Sequence, residues 1–483
     1  MGLPELIEIL PLQKQVCAEI TVPGSKSITN RALILSALSD GEVVLNGALW
    51  SDDTRVLIEC LQKLGFDIEV KEDPAEKCNR IIKIKGKGGF VPAGGSESSP
   101  LELYVGNAGT TARFLTAFLV LGNGVYKLYG TERMHERPQS GLFDALRQMG
   151  YRVESKNNKL PALIYGGGKR SGKCTVDVSE SSQFASALLM CAEIGGWEVE
   201  IKGSNPEEIP YVKMTKELIS VFPKNGGKFS VEADASSGSY FIASAVLQKT
   251  EEIIKAEPST FNNDSPDVQK DLACLYDLSV KVANWPRSGW QIDQAFYDIY
   301  RSFATIMIGG GIIDEEEMVA KYGYNWRDNK TVVNKEPLVF SRKHHLGDSI
   351  MTLITLAPLA TVPVQFIDLE SLRLQECERV LALKTELKKC GARVFETDNS
   401  LTIFPSRLNG AEIETYNDHR MAMCFSILGL RVPGMKIRNP SCVKKTFPTF
   451  YQKLVQTSPS GLGVKILDGF SAEEIPYNGL YAD

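Results

Sequence analysis

Histidine is scarce: His135, His344, His345 and His419 are the only four in 483 residues. None sits at metal-ligand spacing, so a histidine-based zinc site is not expected. The ten cysteines form no C-x-x-C pair, which argues against zinc and redox motifs. In a chain this long they read as buried thiols of a reducing compartment, not as a disulfide framework. No apolar run approaches the ~20 residues that cross a bilayer. Met1 to Leu10 holds acidic residues and no basic region, so no secretory leader is expected. An excess of positive charge is also missing, since Lys and Arg total 54 against 59 Asp and Glu, a net −5. No bulk field draws in nucleic acid or an anionic membrane. No Gly-x-Ser-x-Gly elbow is present. The expectation these absences leave is a cytoplasmic enzyme, monomeric, acting on small molecules without nucleic-acid or membrane partners, and any anion site must be built locally.

What is present is ordinary globular composition, 43% hydrophobic and 23% charged, at a length that suits two large domains. A pattern repeats within it. A short polar turn runs directly into a helix of small and apolar residues. It occurs at Gly24-Ser25-Lys26-Ser27, Gly106-Asn107-Ala108-Gly109-Thr110, Ser181-Ser182-Gln183, Asp234-Ala235-Ser236-Ser237, Gly347-Asp348-Ser349 and Asn417-Asp418-His419-Arg420. Helices apolar on every side are buried. Between them lie amphipathic helices, at Thr54 to Gly65, Gly141 to Gly150, Tyr211 to Phe222, Val268 to Leu278, Arg379 to Gly391 and Pro448 to Val455. Most are followed by alternating strands such as Phe66 to Val70 and Ala392 to Phe395. A last strand is expected at Val464 to Leu467.

The spacing predicts an α/β chain of six βαβαββ-type repeats, three in each of two similar domains. Buried helices lie inside and strands with amphipathic helices outside, an inverted arrangement unlike a Rossmann sheet. The fourth repeat is the weakest, with a charged, glycine-rich surface excursion expected at Gly309 to Asn334. Each apolar helix opens on free backbone N–H groups, which together with the helix dipole favour anions. If the six N-termini share one cleft, that cleft selects anions.

Basic side chains accompany these turns: Lys26, Arg31, Arg113, Arg133, Arg137, Arg379, Arg420 and Lys445. Arginine suits carboxylates and phosphates because its planar fork donates two parallel hydrogen bonds. Two acids stand among them, Asp348 at a helix start and Glu376 before Arg379. A carboxylate there can be a simple cap; beside so many cations it makes more sense as a proton-transfer group. Gly167 to Lys173 fits G-x-x-x-x-G-K but has Cys174 where a P-loop needs Ser or Thr, and it runs into a strand; it is expected to be a hairpin turn.

Seven of these segments, in order from Pro23 to Leu454, resemble the signatures of 5-enolpyruvylshikimate-3-phosphate synthases. They are Gly24 to Arg31, Gly106 to Arg113, Arg133 to Pro138, Ser181 to Phe184, Asp234 to Ser237, Gly347 to Ser349 and Tyr416 to Met423. The resemblance implies the enolpyruvyl transferase fold, with a discontinuous domain 1–22 plus 239–483 and a second domain 23–238. It implies transfer of the enolpyruvyl group of phosphoenolpyruvate to the 5-hydroxyl of shikimate 3-phosphate, in the shikimate pathway to chorismate and aromatic amino acids, with no metal or organic cofactor. Lys26, Ser27, Arg31, Ser181, Ser182, Gln183, Tyr211, Asp348 and Gln375 would then hold shikimate 3-phosphate. Lys26, Asn107, Gly109, Arg133, Gln183, Arg379, Arg420 and Lys445 would surround phosphoenolpyruvate. Asp348 and Glu376, assisted by Lys26, would move the protons in either order. The family is also the target of glyphosate, for which Gly109 leaves room. The chain departs from the family pattern at Gln375, commonly Lys, at Ser371, frequently Asn, at Glu208, commonly Ser, and at Phe114, frequently Pro. A UDP-N-acetylglucosamine enolpyruvyl transferase would share the fold but carry a reactive Cys near Arg133 to Arg137, where this chain has none. A non-catalytic anion-binding relative is the remaining alternative.

Overall fold

The computed structural model describes residues 2–14, 16–203, 209–255, 279–307, 324–325, 330–331 and 337–482. Six helices start at the six polar turns: α1 (Lys26–Leu38), α2 (Gly109–Leu119), α3 (Ser182–Gly195), α4 (Ala235–Lys255), α5 (Ile350–Leu356) and α6 (His419–Gly429). Every residue of α2, α5 and α6 is buried, and so is α1 from Ile28 onward. Ala, Ser, Thr and Gly on these helices let neighbouring backbones approach, while Leu, Ile, Phe and Met fill the space between them. Helices α1, α2 and α3 pack on one another, and so do α4, α5 and α6. Each lobe therefore has a three-helix centre.

The sheets wrap outside. Four are four-stranded and follow one plan, a parallel pair continued by two antiparallel pairings. In one, Leu101–Tyr104 lies parallel to Val125–Tyr129, which pairs antiparallel with Ala162–Tyr165, and that strand with Val153–Glu154. Leu338–Ser341, Val364–Ile367, Leu401–Phe404 and Arg393–Glu396 repeat the plan. Two further sheets are shorter than the expected unit. Gly172–Asp177 pairs only with Trp197–Lys202, and Ala18–Ile20 only with Val280–Val282. The third repeat is incomplete because its last strand, Gly227–Ser230, joins the first repeat's sheet beside Glu42–Leu49. That exchange closes the ring of repeats around the helices.

The amphipathic helices appear as Asp52–Lys63, Ser140–Gln148, Ile209–Val221, Arg379–Lys389 and Phe450–Val455. The helix expected over 268–278 and the Glu208 position lie outside the described residues, as does most of the 309–334 segment. Within that segment Tyr324–Asn325 and Lys330–Thr331 form a small antiparallel pair. The segment from Gly167 to Lys173 is not a hairpin. It joins Ala162–Tyr165 of one sheet to Gly172–Asp177 of another, because Gly172 aligns with Trp197 and not with the preceding strand. The tail forms a strand at Ile466–Asp468, which pairs with Leu6–Ile9.

Buried apolar side chains fall into two clusters. One spans Ile28 to Val231; the other joins Ile7 to Val22 with Tyr240 to Ala482 and takes in Cys78. The chain crosses between them at residues 22–24 and 231–234, where the two segments pair: Ser25 N–H donates to Glu232 O and Asp234 N–H to Pro23 O, both at 2.8 Å. Gly24 is required at this crossing, since a Cβ would lie 1.9 Å from Gly47 O. Among the described residues no helix is long and apolar enough to cross a membrane.

Candidate active site

All six polar turns face one cleft between the lobes. Its lining includes Lys26 and Ser27 at the start of α1, Gly109 at α2, Ser181 to Gln183 at α3, Ser236 at α4, Asp348 before α5 and Arg420 at α6. The N-termini are not equivalent. Asp234 caps α4 through Ser237 N–H, and Asp418 caps α6 through Arg420 N–H. The Ser181 hydroxyl accepts from Gln183 N–H, and Asp293 accepts from Gly347 and Ser349 N–H. No side chain caps α1 or α2. Those two mouths are where the first-turn N–H groups remain for an anion.

The lower wall is a network of buried ions. Asp348 meets Arg342 at 3.0 Å, Arg420 at 3.2 Å and Arg379 at 3.6 Å. Burial alone would raise its carboxyl, but Arg420, Arg379 and Arg342 outweigh that and hold it well below the usual carboxylate range. Glu376 lies 2.9 Å from both Arg379 and Lys445. Burial again opposes ionisation, and Lys445 and Arg379 overcome it, so this carboxyl is also held low. Arg379 is fixed from behind by Asp418, at 2.7 Å from Nε and 3.2 Å from Nη2. Both acids are therefore carboxylates in the empty cleft, ready to accept a proton. Incoming substrate anions would offset the surrounding cations and raise both.

The upper wall belongs to the other lobe. Lys26 pairs with Asp53 at 3.3 Å. Arg31 is pinned by Thr215 at 2.7 Å and Ser186 at 3.0 Å, and lies over the Phe114 ring. Arg113 donates to Gln183 Oε1 at 2.7 Å and to Pro138 O at 3.0 Å. Arg137 donates to Asn107 O at 3.1 Å. Gly109 sits under both guanidiniums: a Cβ there would lie 2.7 Å from Arg113 Nη1 and 2.8 Å from Arg137 Cζ.

Of the residues expected from sequence, Lys26, Ser27, Arg31, Gly109, Ser181, Ser182, Gln183, Tyr211, Asp348, Gln375, Glu376 and Arg420 line the cleft. Arg379 and Lys445 stand directly behind Glu376. Arg133 and Asn107 are outside the lining. Arg133 is partly exposed, paired with Glu136 at 2.7 Å, and reaches across to Gln375 O at 3.1 Å. Arg137, four residues on, takes the lining position, because the short helix Glu132–Glu136 turns Arg133 outward and Arg137 follows its last residue. Asn107 contributes only its backbone oxygen to that contact.

Sequence reasoning missed Asp53, Asp293 and Arg342. Asp53 reads as an ordinary first-turn acid of an amphipathic helix. Asp293 and Arg342 carry no motif and come from outside the repeated turns. Their presence changes the electrostatics. Six basic and six acidic side chains line the cleft, so the unoccupied site is nearly balanced in formal charge. Selectivity for anions arises from fixed donors and not from surplus charge.

Comparison with known proteins agrees with this architecture. The profile of the EPSP synthase (3-phosphoshikimate 1-carboxyvinyltransferase) family matches residues 11–454. The chain belongs to the EPSP synthase family. A 3-phosphoshikimate 1-carboxyvinyltransferase of Trichormus variabilis is 32% identical over 473 residues, covering 93% of this chain and 98% of that protein. One from Sulfurovum sp. is 35% identical, covering 91% and 96%. The fold is that of EPSP synthase from Acinetobacter baumannii, with a TM-score of 0.64 at 20% identity, covering 95% of this chain and 99% of that one. The enolpyruvyl transferase NikO of Streptomyces tendae shares it, with a TM-score of 0.59 at 15% identity and coverage of 98% and 100%. Membership in the EPSP synthase family accounts for the six helix mouths, the two-lobed ring of repeats and the order of the seven signatures along the chain.

Proposed function

We propose that this chain is a 3-phosphoshikimate 1-carboxyvinyltransferase: phosphoenolpyruvate and shikimate 3-phosphate give 5-enolpyruvylshikimate 3-phosphate and phosphate. The observation that carries the reading is the pair of ionised, buried acids, Asp348 and Glu376, set among arginines and lysines opposite two uncapped helix N-termini. In this reading shikimate 3-phosphate lies against Ser27, Arg31, Ser181, Ser182, Gln183 and Tyr211, with its 5-hydroxyl toward Asp348. Phosphoenolpyruvate lies among Lys26, Gly109, Arg379, Arg420 and Lys445, with Arg137 in the role that Arg133 is too exposed to fill.

The chemistry needs two proton transfers in each direction. Protonation of the C3 methylene of phosphoenolpyruvate makes C2 electrophilic, and the 5-hydroxyl attacks C2 as it loses its proton. The tetrahedral intermediate then loses a proton from its C3 methyl and expels phosphate, restoring the double bond. Asp348 and Glu376 supply the acid and base, assisted by Lys26, and fixed cations stabilise the phosphate that leaves. The reading takes 1–22 with 239–483 and 23–238 as domains that close on the substrates, excluding water and bringing the hydroxyl to C2.

The test is phosphate release from phosphoenolpyruvate with shikimate 3-phosphate and, separately, with UDP-N-acetylglucosamine. Release with the first acceptor alone is expected. Release with the second alone would transfer the reading to the sister enzyme, and release with neither would leave an anion-binding relative without turnover.

A further inference from the structure

Arg342 lines the cleft although its side chain is only 2% exposed. It follows the strand Leu338–Ser341, and its own N–H donates to Ile367 O at 3.1 Å, so the backbone beneath it is fixed by the sheet. Its Nη2 donates to Asp348 Oδ1 at 3.0 Å, and its Nη1 donates to the Ser371 hydroxyl. Gln375 Nε2 approaches the same Asp348 oxygen, at 3.4 Å. Arg342, Ser371 and Gln375 therefore meet around one carboxylate oxygen at one wall of the cleft.

Two of those three positions are departures from the family pattern. Glutamine for lysine at 375 removes a positive charge from this wall. Serine for asparagine at 371 shortens the neighbouring side chain. Arg342 answers both changes: its guanidinium takes the Ser371 hydroxyl as a partner and brings a full charge to the wall that Gln375 leaves neutral. The planar fork also gives more directed donors than an ammonium would.

We propose that Arg342 is a specificity-determining residue of this site, supplying at the wall facing the shikimate hydroxyls the positive charge that relatives carry at position 375. The proposal rests on the acceptor assigned under the proposed function. Arg342 then donates to the acceptor's ring hydroxyls and holds Asp348 oriented toward the hydroxyl that reacts. A purely structural counterion to Asp348 would affect both substrates alike, whereas a shikimate-side group affects one.

Four proteins separate these cases: the unmodified chain, Arg342→Gln, Gln375→Lys and the double variant, each measured for kcat and for KM of both substrates. Arg342→Gln is expected to raise KM for shikimate 3-phosphate by at least ~10-fold, the scale of a lost charged hydrogen bond, with KM for phosphoenolpyruvate moving much less. Adding Gln375→Lys should recover a large part of that loss. Gln375→Lys alone should bring no gain, because the wall already holds its cation. Equal effects of Arg342→Gln on both KM values, or no recovery in the double variant, would overturn the proposal. Should Arg342→Gln fail to fold, a ~10-fold improvement in the acceptor KM by Gln375→Lys alone would overturn it equally. Inactivity of the unmodified chain with shikimate 3-phosphate marks failure of the proposed function itself, and is seen before any variant is made.

Discussion

Asp348 and Gly109 are the single residues on which most depends. Asp348 is ionised and surrounded by three guanidiniums, so Asp348→Asn keeps the shape and removes the proton acceptor. Turnover should fall by at least ~100-fold, while calorimetric binding of shikimate 3-phosphate stays within a few-fold; near-normal turnover would remove Asp348 from the mechanism. Gly109→Ala places a Cβ against the Arg113 and Arg137 guanidiniums at 2.7 and 2.8 Å. Those groups must shift, so KM for phosphoenolpyruvate should rise by roughly 10-fold, since small misplacements near reacting atoms are costly. Inhibition by glyphosate should weaken in parallel, read from inhibition curves at several phosphoenolpyruvate concentrations. His419 gives a pH effect. Burial, then Arg420 and Lys26, hold its imidazole well below the ordinary value of 6.5. It stays neutral when folded and binds a proton when unfolded, so stability is full above 6.5 and declines as pH falls below that value. Denaturant midpoints at several pH values should show the decline, and His419→Gln should flatten it.

At the scale of the element, α6 shows how a cap and a site are built from one residue. Asp418 accepts from Arg420 N–H at 2.9 Å as the N-cap of α6, and also binds Arg379 through Nε at 2.7 Å. Loss of a cap alone costs about 1 kcal/mol. Leaving Arg379 buried without its partner costs on the order of 3–5 kcal/mol. Asp418→Ala should therefore lower the denaturant midpoint far more than Ser181→Ala, which removes a cap from α3 without stranding a charge. Equal losses would mean that Glu376 and Gln375 suffice to hold Arg379. The same comparison explains why α1 and α2 lack side-chain caps: their open N–H groups are what remains for a ligand.

For the whole molecule the balance of charge matters. The chain carries −5 overall, and the cleft lining holds equal numbers of basic and acidic groups. Long-range steering of anions should be weak. Raising KCl from about 50 to about 500 mM should thus lower kcat/KM by less than ~10-fold, whereas a cleft with a surplus field would lose far more. Opposite the cleft the lobes are tied together. Glu76, from the first-lobe strand connection, pairs with Lys453 of the other lobe at 2.7 Å, and Cys78 joins that lobe's core. This contact gives relative motion of the lobes a fixed edge on which to turn.

The sequence by itself determined the helices, the repeat and most of the site, because these are local properties. An all-apolar helix must be buried, a polar turn before it must expose N–H groups, and Lys26, Asp348 and Arg420 ride on those turns. The tertiary structure alone decided what depends on chain segments distant in sequence. It chose Arg137 over Arg133, since the direction of the short helix Glu132–Glu136 sets which guanidinium enters. It moved the last strand of the third repeat into the first repeat's sheet. It brought Asp53 to Lys26, Asp293 to the start of α5 and Arg342 to Asp348. Periodicity cannot report such pairings, because a buried ion's partner is fixed by three-dimensional packing and not by spacing along the chain.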